Sequence, residues 1–127
     1  MKQIEKDIVQ AVKQHHDFRS TGHSTYCPGL TGDRDKLMWA QYREFRYELW
    51  GNAIAFGNAG HKKMYVSTCG YPTATTTSRL NAVFAGFDIP MSVHIRKKRP
   101  VYSLNGQEIL SPSGSRVLAG SWLIIFR

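Results

Sequence analysis

Apolar residues recur with helical spacing in two segments of the chain. In the first, Ile4, Ile8 and Val12 lie four residues apart with charged residues between them, which predicts an amphipathic helix over residues 2–16. In the second, a run of threonines precedes the repeat and supplies a cap for the helix start. The apolar positions of this second helix are Leu80, Val83, Phe84 and Phe87.

Alternation of apolar and polar residues predicts strands in much of the remaining chain. The clearest case is Met91, Val93 and Ile95, which alternate with Ser, His and Arg. The Asn-Gly pair at 105–106 is a favoured two-residue hairpin turn. The continuous apolar run at 122–126 is typical of a central strand that is buried on both faces. Similar patterns predict strands at residues 53–56, 61–69, 101–104 and 107–110.

Residues 37–50 fit both a helix and a strand. Apolar and aromatic residues fall at helical spacing, but Phe45, Tyr47 and Leu49 also alternate with charged residues. The aromatic content and the Gly51-Asn52 pair that follows favour a strand ending in a hairpin turn. Arginines interleave with these aromatics, so the segment fits either a hydrophobic core or a stacking surface for single-stranded nucleic acid.

Residues 17–36 are rich in Gly, Ser, Thr and Asp. We expect a long loop here, with room for one short extended piece. The chain has no internal repeat and no linker, so residues 1–127 are expected to form one domain whose sheet-and-helix core spans residues 37–127. The predicted fold class is α+β, with a mostly antiparallel sheet and about two helices packed on one face.

Charge is the unusual part of the composition. The 127 residues include 17 Lys and Arg against 9 Asp and Glu, a formal net charge of +8. This balance excludes an acidic mimic of DNA and favours an anionic partner. No apolar run approaches the roughly 20 residues of a membrane-spanning helix, and the N-terminus has no secretory pattern. We therefore expect a cytoplasmic protein with no membrane partner.

The strongest local feature is a basic run formed by Arg96, Lys97, Lys98 and Arg99. It follows the clearest strand, so Arg96 and Lys98 are expected on the face of His94, with Lys97 and Arg99 on the other face. Such a run suits contacts to phosphate, which would make binding sensitive to salt. The alternative is a charged strand end that protects a sheet edge from aggregation.

A threonine-rich helix start is the second candidate. Residues 70–82 place hydroxyl and backbone N–H groups at the start of a helix, where anions bind favourably. Thr75, Thr76 and Asn81 would contribute polar groups, and Arg79 would add charge and a fork of donors. The alternative is capping alone, since hydroxyls satisfy the first N–H groups of a helix without a ligand.

The same segment carries a resemblance to a known group of proteins. Residues 49–55 and the pattern GYPT-x-TT-x-x-RLN-A in residues 70–82 resemble small bacteriophage proteins. The resemblance implies a phage genome, a small α+β fold and the cytoplasm of the host cell as the site of action. It also implies a class of roles: host takeover, defence against host immunity, or service to phage nucleic acid.

Metal and catalytic chemistry find little support in the sequence. His23 and Cys27 are loosely spaced like a pair of zinc ligands, but the second pair that zinc needs is missing. No metal site and no cofactor are predicted. Cys27 and Cys69 could form one disulfide bridge, but they are interpreted as buried free thiols. No signature of a nucleophile with its base is present, so catalysis is the least favoured reading.

These observations lead to a ranked expectation. The first hypothesis is a phage accessory protein without enzymatic activity that binds DNA or RNA through a basic surface. The second is an inhibitor that binds a protein of a host defence system or a host enzyme, using an acidic face of that protein. The third is an enzyme with an unrecognised site. The oligomeric state stays open.

Overall fold

The computed structural model describes residues 2–14, 18–20, 23–26, 44–50, 52–70, 73–109 and 113–127. Two helices and ten strands lie within these ranges. The helices are α1 (Gln3–Gln14) and α2 (Ala74–Gly86). The strands are β1 (Phe18–Ser20), β2 (His23–Tyr26), β3 (Glu44–Leu49), β4 (Asn52–Asn58), β5 (Lys63–Val66), β6 (Met91–Arg96), β7 (Arg99–Leu104), β8 (Gln107–Glu108), β9 (Arg116–Ala119) and β10 (Trp122–Phe126).

Two sheets organise these strands. The larger sheet has seven strands in the order β1-β2-β3-β4-β5-β10-β9, and the smaller has three in the order β6-β7-β8. Every pairing is antiparallel except that of β10 with β5, which is parallel. This arrangement confirms the predicted α+β class and the mostly antiparallel sheet.

The hydrophobic core lies on one face of the large sheet, here called the inner face. Phe45 and Tyr47 of β3 point to it and are almost fully buried. Aromatic contacts join this face to the elements above it. Phe87, just after α2, lies 5.5 Å from Phe45 and 5.0 Å from Trp122 between ring centroids, and Tyr102 of the small sheet lies 4.7 Å from Phe126. Helix α2 and the small sheet therefore cover the inner face.

Several elements confirm the sequence patterns. Leu80, Val83 and Phe84 of α2 are buried, and the Thr73 hydroxyl caps the helix by accepting from the Thr76 N–H at 3.2 Å. The Asn105-Gly106 turn joins β7 to β8, and both of its residues have positive φ. Strand β10 lies between two neighbours and is mostly buried.

The interpretation of residues 37–50 as a strand is confirmed for Glu44–Leu49, while residues 37–43 lie outside the described part. The long loop predicted for residues 17–36 is wrong where β1 and β2 form, because β1 pairs with β2 and β2 pairs with β3. Their short sequences, FRS and HSTY, carry no regular alternation of apolar and polar residues that would predict a strand. The N-terminal helix is described as far as Gln14.

A buried ion pair connects the two helices. The Arg79 guanidinium of α2 donates to Glu5 Oε2 of α1 at 2.7 Å, and both side chains are less than a tenth exposed. The Ser78 hydroxyl donates to the same oxygen, and the Lys2 N–H donates to Oε1 at 3.0 Å. Burial opposes ionisation of Glu5, but these hydrogen bonds and the charge of Arg79 outweigh it, so the pKa of Glu5 lies below its ordinary value of 4.5.

Breaking this ion pair on one side should destabilise the fold strongly. Glu5→Ala leaves a buried guanidinium without its counter-charge, and we expect a loss of about 3–5 kcal/mol in the free energy of unfolding. The double variant Glu5→Met/Arg79→Met removes both charges and should recover most of that loss. Urea unfolding of the wild type and the variants measures both effects. A double variant as unstable as Glu5→Ala would show that the ion pair does not act as a unit.

The lowered pKa of Glu5 also makes stability depend on pH. Because the folded-state pKa lies below the unfolded value, the stabilisation is complete above about 4.5 and is lost as the pH falls through the folded-state pKa. We expect the difference in unfolding free energy between the wild type and Glu5→Gln to shrink over that interval. Urea titrations between neutral pH and about pH 3 test this, and a constant difference would contradict it.

Candidate nucleic-acid interface

The basic run forms the tip of a hairpin. Lys97 and Lys98 are the two turn residues between β6 and β7, with φ of 52° and 61°. Arg96 and Arg99 are paired across this turn, and paired residues of an antiparallel ladder share a face. The predicted alternation of faces is therefore wrong for Arg99, which lies on the side of Arg96 because the chain reverses between them.

The four cations of the run differ in their surroundings. Arg96 donates through both terminal nitrogens to the Glu108 carboxylate, with Nη1 at 3.2 Å from Oε2. This hydrogen bonding lowers the pKa of Glu108. Lys97, Lys98 and Arg99 are exposed, and none of them forms an ion pair with an acidic residue in the described part of the chain. The tip thus presents three cations to solvent.

The residues of the threonine-rich candidate are used mostly within the fold. Arg79 is held by Glu5, and Thr76 is buried behind the Thr73 cap. The Asn81 amide donates to the Val93 carbonyl and accepts from the Val93 N–H, both at 2.8 Å, which fastens α2 to β6. Thr75 is exposed and lines a cleft of about 520 Å³ beside Trp50. The geometry therefore favours capping and packing as the role of this segment.

The opposite face of the large sheet, here called the outer face, carries a different set of side chains. Strand pairing aligns one row across β3, β4, β5, β10 and β9, and this row consists of Arg46, Phe56, Tyr65, Ile125 and Arg116. A second row consists of Asn58, Lys63, Leu123 and Leu118. The intervening rows supply the core, so these two rows point away from it.

A stacked aromatic pair lies at the centre of the outer face. The rings of Phe56 and Tyr65 are 4.8 Å apart between centroids and nearly parallel, with 6° between their planes. The Arg127 guanidinium lies over both rings, 5.3 Å from Phe56 and 5.1 Å from Tyr65, and Lys63 Nζ lies 5.4 Å from the Tyr65 centroid. Both rings are only half-buried, so aromatic and cationic groups are combined at one accessible place.

Among the side chains that the structure describes on the outer face, cations outnumber carboxylates. Arg46, Lys63, Arg116 and Arg127 contribute four cations, and the Arg46 guanidinium is paired with the Glu48 carboxylate at 3.0 Å. The β9 end is apolar instead, with Leu118 71% exposed. A cationic centre with an apolar margin suits a ligand that has both phosphates and planar bases.

Sequence reasoning missed this aromatic pair. The predicted stacking residues were the aromatics of residues 39–50. Of these, Phe45 and Tyr47 belong to the core, Trp50 is exposed, and Trp39 and Tyr42 lie outside the described residues. Phe56 and Tyr65 are nine positions apart in the sequence and meet only through the register of β4 and β5. Their signal in the sequence was an aromatic residue at an outward position of each strand.

The described residues hold no metal cluster and no membrane-spanning helix. No three His, Cys, Asp or Glu side chains come together there as a metal site requires. Cys69 is a free thiol and is half-buried; Cys27 lies outside those ranges. None of the helices that the structure describes is long and apolar enough to cross a membrane.

Comparison with known proteins places the chain in a phage family. No curated protein and no solved structure matches it. The family model for the Kyanoviridae Gp96 protein matches residues 1–112, a range that includes both helices and the aromatic pair of the outer face. This match confirms the phage origin that the resemblance implied. The chain therefore belongs to the Kyanoviridae Gp96 protein family of bacteriophages.

Proposed function

We propose that this phage protein binds single-stranded nucleic acid on the outer face of its seven-stranded sheet. The observation that carries the proposal is the Phe56–Tyr65 pair with the cations of Lys63 and Arg127 beside it. Bases stack on half-exposed aromatic rings, and each stacked base contributes about 1–3 kcal/mol. Neighbouring cations contact the phosphates that connect those bases.

The geometry favours single strands over duplexes. In a duplex the bases already stack on one another, so their faces are not available to a ring on a protein surface. An open sheet face accepts bases that are splayed out from an unpaired strand. Because stacking works with any base, the expected binding is tolerant of sequence, and both DNA and RNA are suitable ligands.

The basic run of the hairpin tip is the competing location. Arg96, Lys97, Lys98 and Arg99 offer charge, and their contact with phosphate stays a prediction from the sequence. In the described part of the chain, no ring stacking or cation–π contact involves this tip. A site there would bind any polyanion, whereas the outer face adds a surface for unpaired bases. The two locations therefore predict different responses to substitution.

Loss of one ring should weaken binding without unfolding the protein. Phe56→Leu keeps an apolar side chain but removes the π-face, and we expect the dissociation constant for an oligothymidylate to rise about 5–50-fold. Tyr65→Phe is the matched control and should change affinity little, because it retains the ring. Fluorescence anisotropy measures the affinity, and thermal unfolding verifies the fold. Equal affinity of the wild type for single strand and duplex, with no effect of Phe56→Leu, would refute the proposal.

Salt dependence should separate the outer face from the hairpin tip. Each phosphate contact to a single strand adds about 0.7 to the slope of log affinity against log salt. We expect Lys63→Gln to lower this slope by about that amount, and Lys97→Gln to leave it unchanged. Both substitutions remove one charge, so a general effect of net charge would alter both variants alike. The reverse result would assign phosphate contact to the tip instead.

A further inference from the structure

A second surface of the molecule has the chemistry of a peptide groove. It is a shallow groove between α2 and β6, open to solvent, with a volume of about 630 Å³. Ala74, Thr77 and Ser78 line it on the helix side, and Val93 and Ile95 line it on the strand side. Strand β6 is an edge strand, because the order of the small sheet is β6-β7-β8. One wall of the groove is therefore a strand edge.

The hairpin geometry identifies which backbone groups face the groove. Arg96 pairs with Arg99 next to a two-residue turn, so residues 96, 94 and 92 bond to β7, and residues 95, 93 and 91 direct their N–H and C=O groups to the open edge. The Asn81 amide satisfies both groups of Val93. Among the described residues, nothing pairs with the N–H and C=O of Ile95. Ile95 itself is 36% exposed.

The groove leads directly to the cationic tip. Lys97 lies two residues beyond Ile95, about 7 Å along an extended strand, and Lys98 and Arg99 follow it. The one acidic residue that lines the groove is Glu5. Its carboxylate accepts hydrogen bonds from Ser78 and from the Arg79 guanidinium, which compensates its charge. An occupant that follows β6 past Ile95 thus meets uncompensated positive charge.

The two lysines of the β6–β7 turn, Lys97 and Lys98, lower the stability of the folded protein through their backbone conformation. Lys97 and Lys98 both adopt positive φ, a backbone region that disfavours residues with a side chain. The neighbouring hairpin uses Asn105-Gly106 in the same kind of turn, the pair that tolerates this conformation best. Two lysines therefore occupy a turn for which better-fitting residues exist, and their charge is the property that Asn-Gly lacks.

We propose that the α2–β6 groove binds an acidic, extended segment of a protein partner. The segment lies along the end of β6 and exchanges main-chain hydrogen bonds with Ile95, since those of Val93 are taken by Asn81. Its carboxylates lie beside Lys97, Lys98 and Arg99. Backbone pairing at Ile95 fixes the register of such a complex, and the contacts of its carboxylates with the cationic tip supply its preference for an acidic segment. This site is separate from the outer face and does not depend on nucleic-acid binding.

The test uses dye-labelled synthetic peptides of alternating Glu and Val, about six residues long, which is the usual length of a strand. We expect the Glu-Val peptide to bind in anisotropy titrations and a Lys-Val peptide of equal length not to bind. The variant Lys97→Asn/Lys98→Gly should weaken the Glu-Val complex about five- to tenfold, since two charge contacts are lost. Its melting temperature should stay the same or rise, because the turn is relieved of strain.

Two further measurements keep this outcome distinct from the outer-face proposal. The Ile95 amide resonance should shift on peptide addition in NMR spectra of the wild type. Lys97→Asn/Lys98→Gly should leave oligothymidylate binding intact, and Phe56→Leu should leave peptide binding intact. The proposal is overturned if the Lys-Val peptide binds equally, if the turn variant binds the Glu-Val peptide as the wild type does, or if the Ile95 resonance does not move.

Discussion

The parallel pairing of β10 with β5 is the constraint on which the rest of the structure depends. Two parallel neighbours cannot be joined by a tight turn, so the chain between them must cross over. Here the crossover contains α2, the three-stranded sheet and β9. The ring contacts from Phe87 and Tyr102 place α2 and the small sheet against the inner face of the large sheet. The outer face is consequently left to the side chains of β3, β4, β5, β9 and β10.

The polar groups of the threonine-rich segment fit two roles in the sequence, anion binding and helix capping, and the fold uses them for capping. Hydroxyls and N–H groups at a helix start suit an anion and also suit capping. In this chain Thr73 and Thr76 satisfy each other, and the anion beside Arg79 is the Glu5 carboxylate of α1. The Glu5 carboxylate thus occupies the position beside Arg79 at which the sequence predicted a phosphate. Its ion pair with Arg79 connects α1 to α2.

The sequence allowed prediction of those elements in which residues close together in the chain determine the buried face or the type of turn. Leu80, Val83 and Phe84 define α2, and Asn105-Gly106 defines a hairpin. Strands β1 and β2 were not predicted, because they are defined by the backbone pairing of β1 with β2 and of β2 with β3, which their short sequences do not reveal. The faces of the basic run were mistaken at Arg99, since a two-residue turn at Lys97 and Lys98 reverses the alternation. The Phe56–Tyr65 stack depends on strand register, which no single segment encodes.

The exposed margin of β9 has a consequence for the behaviour of this protein in solution. In the described structure β9 ends the seven-stranded sheet, and the ladder with β10 leaves the N–H and C=O groups of Arg116 and Leu118 directed outward. An open strand edge beside an exposed leucine is a template for end-to-end joining of sheets. Strand β9 is only four residues long and bears Arg116, so this open edge is short and charged. Copies of the chain are therefore expected to meet there at high protein concentration and not in dilute solution.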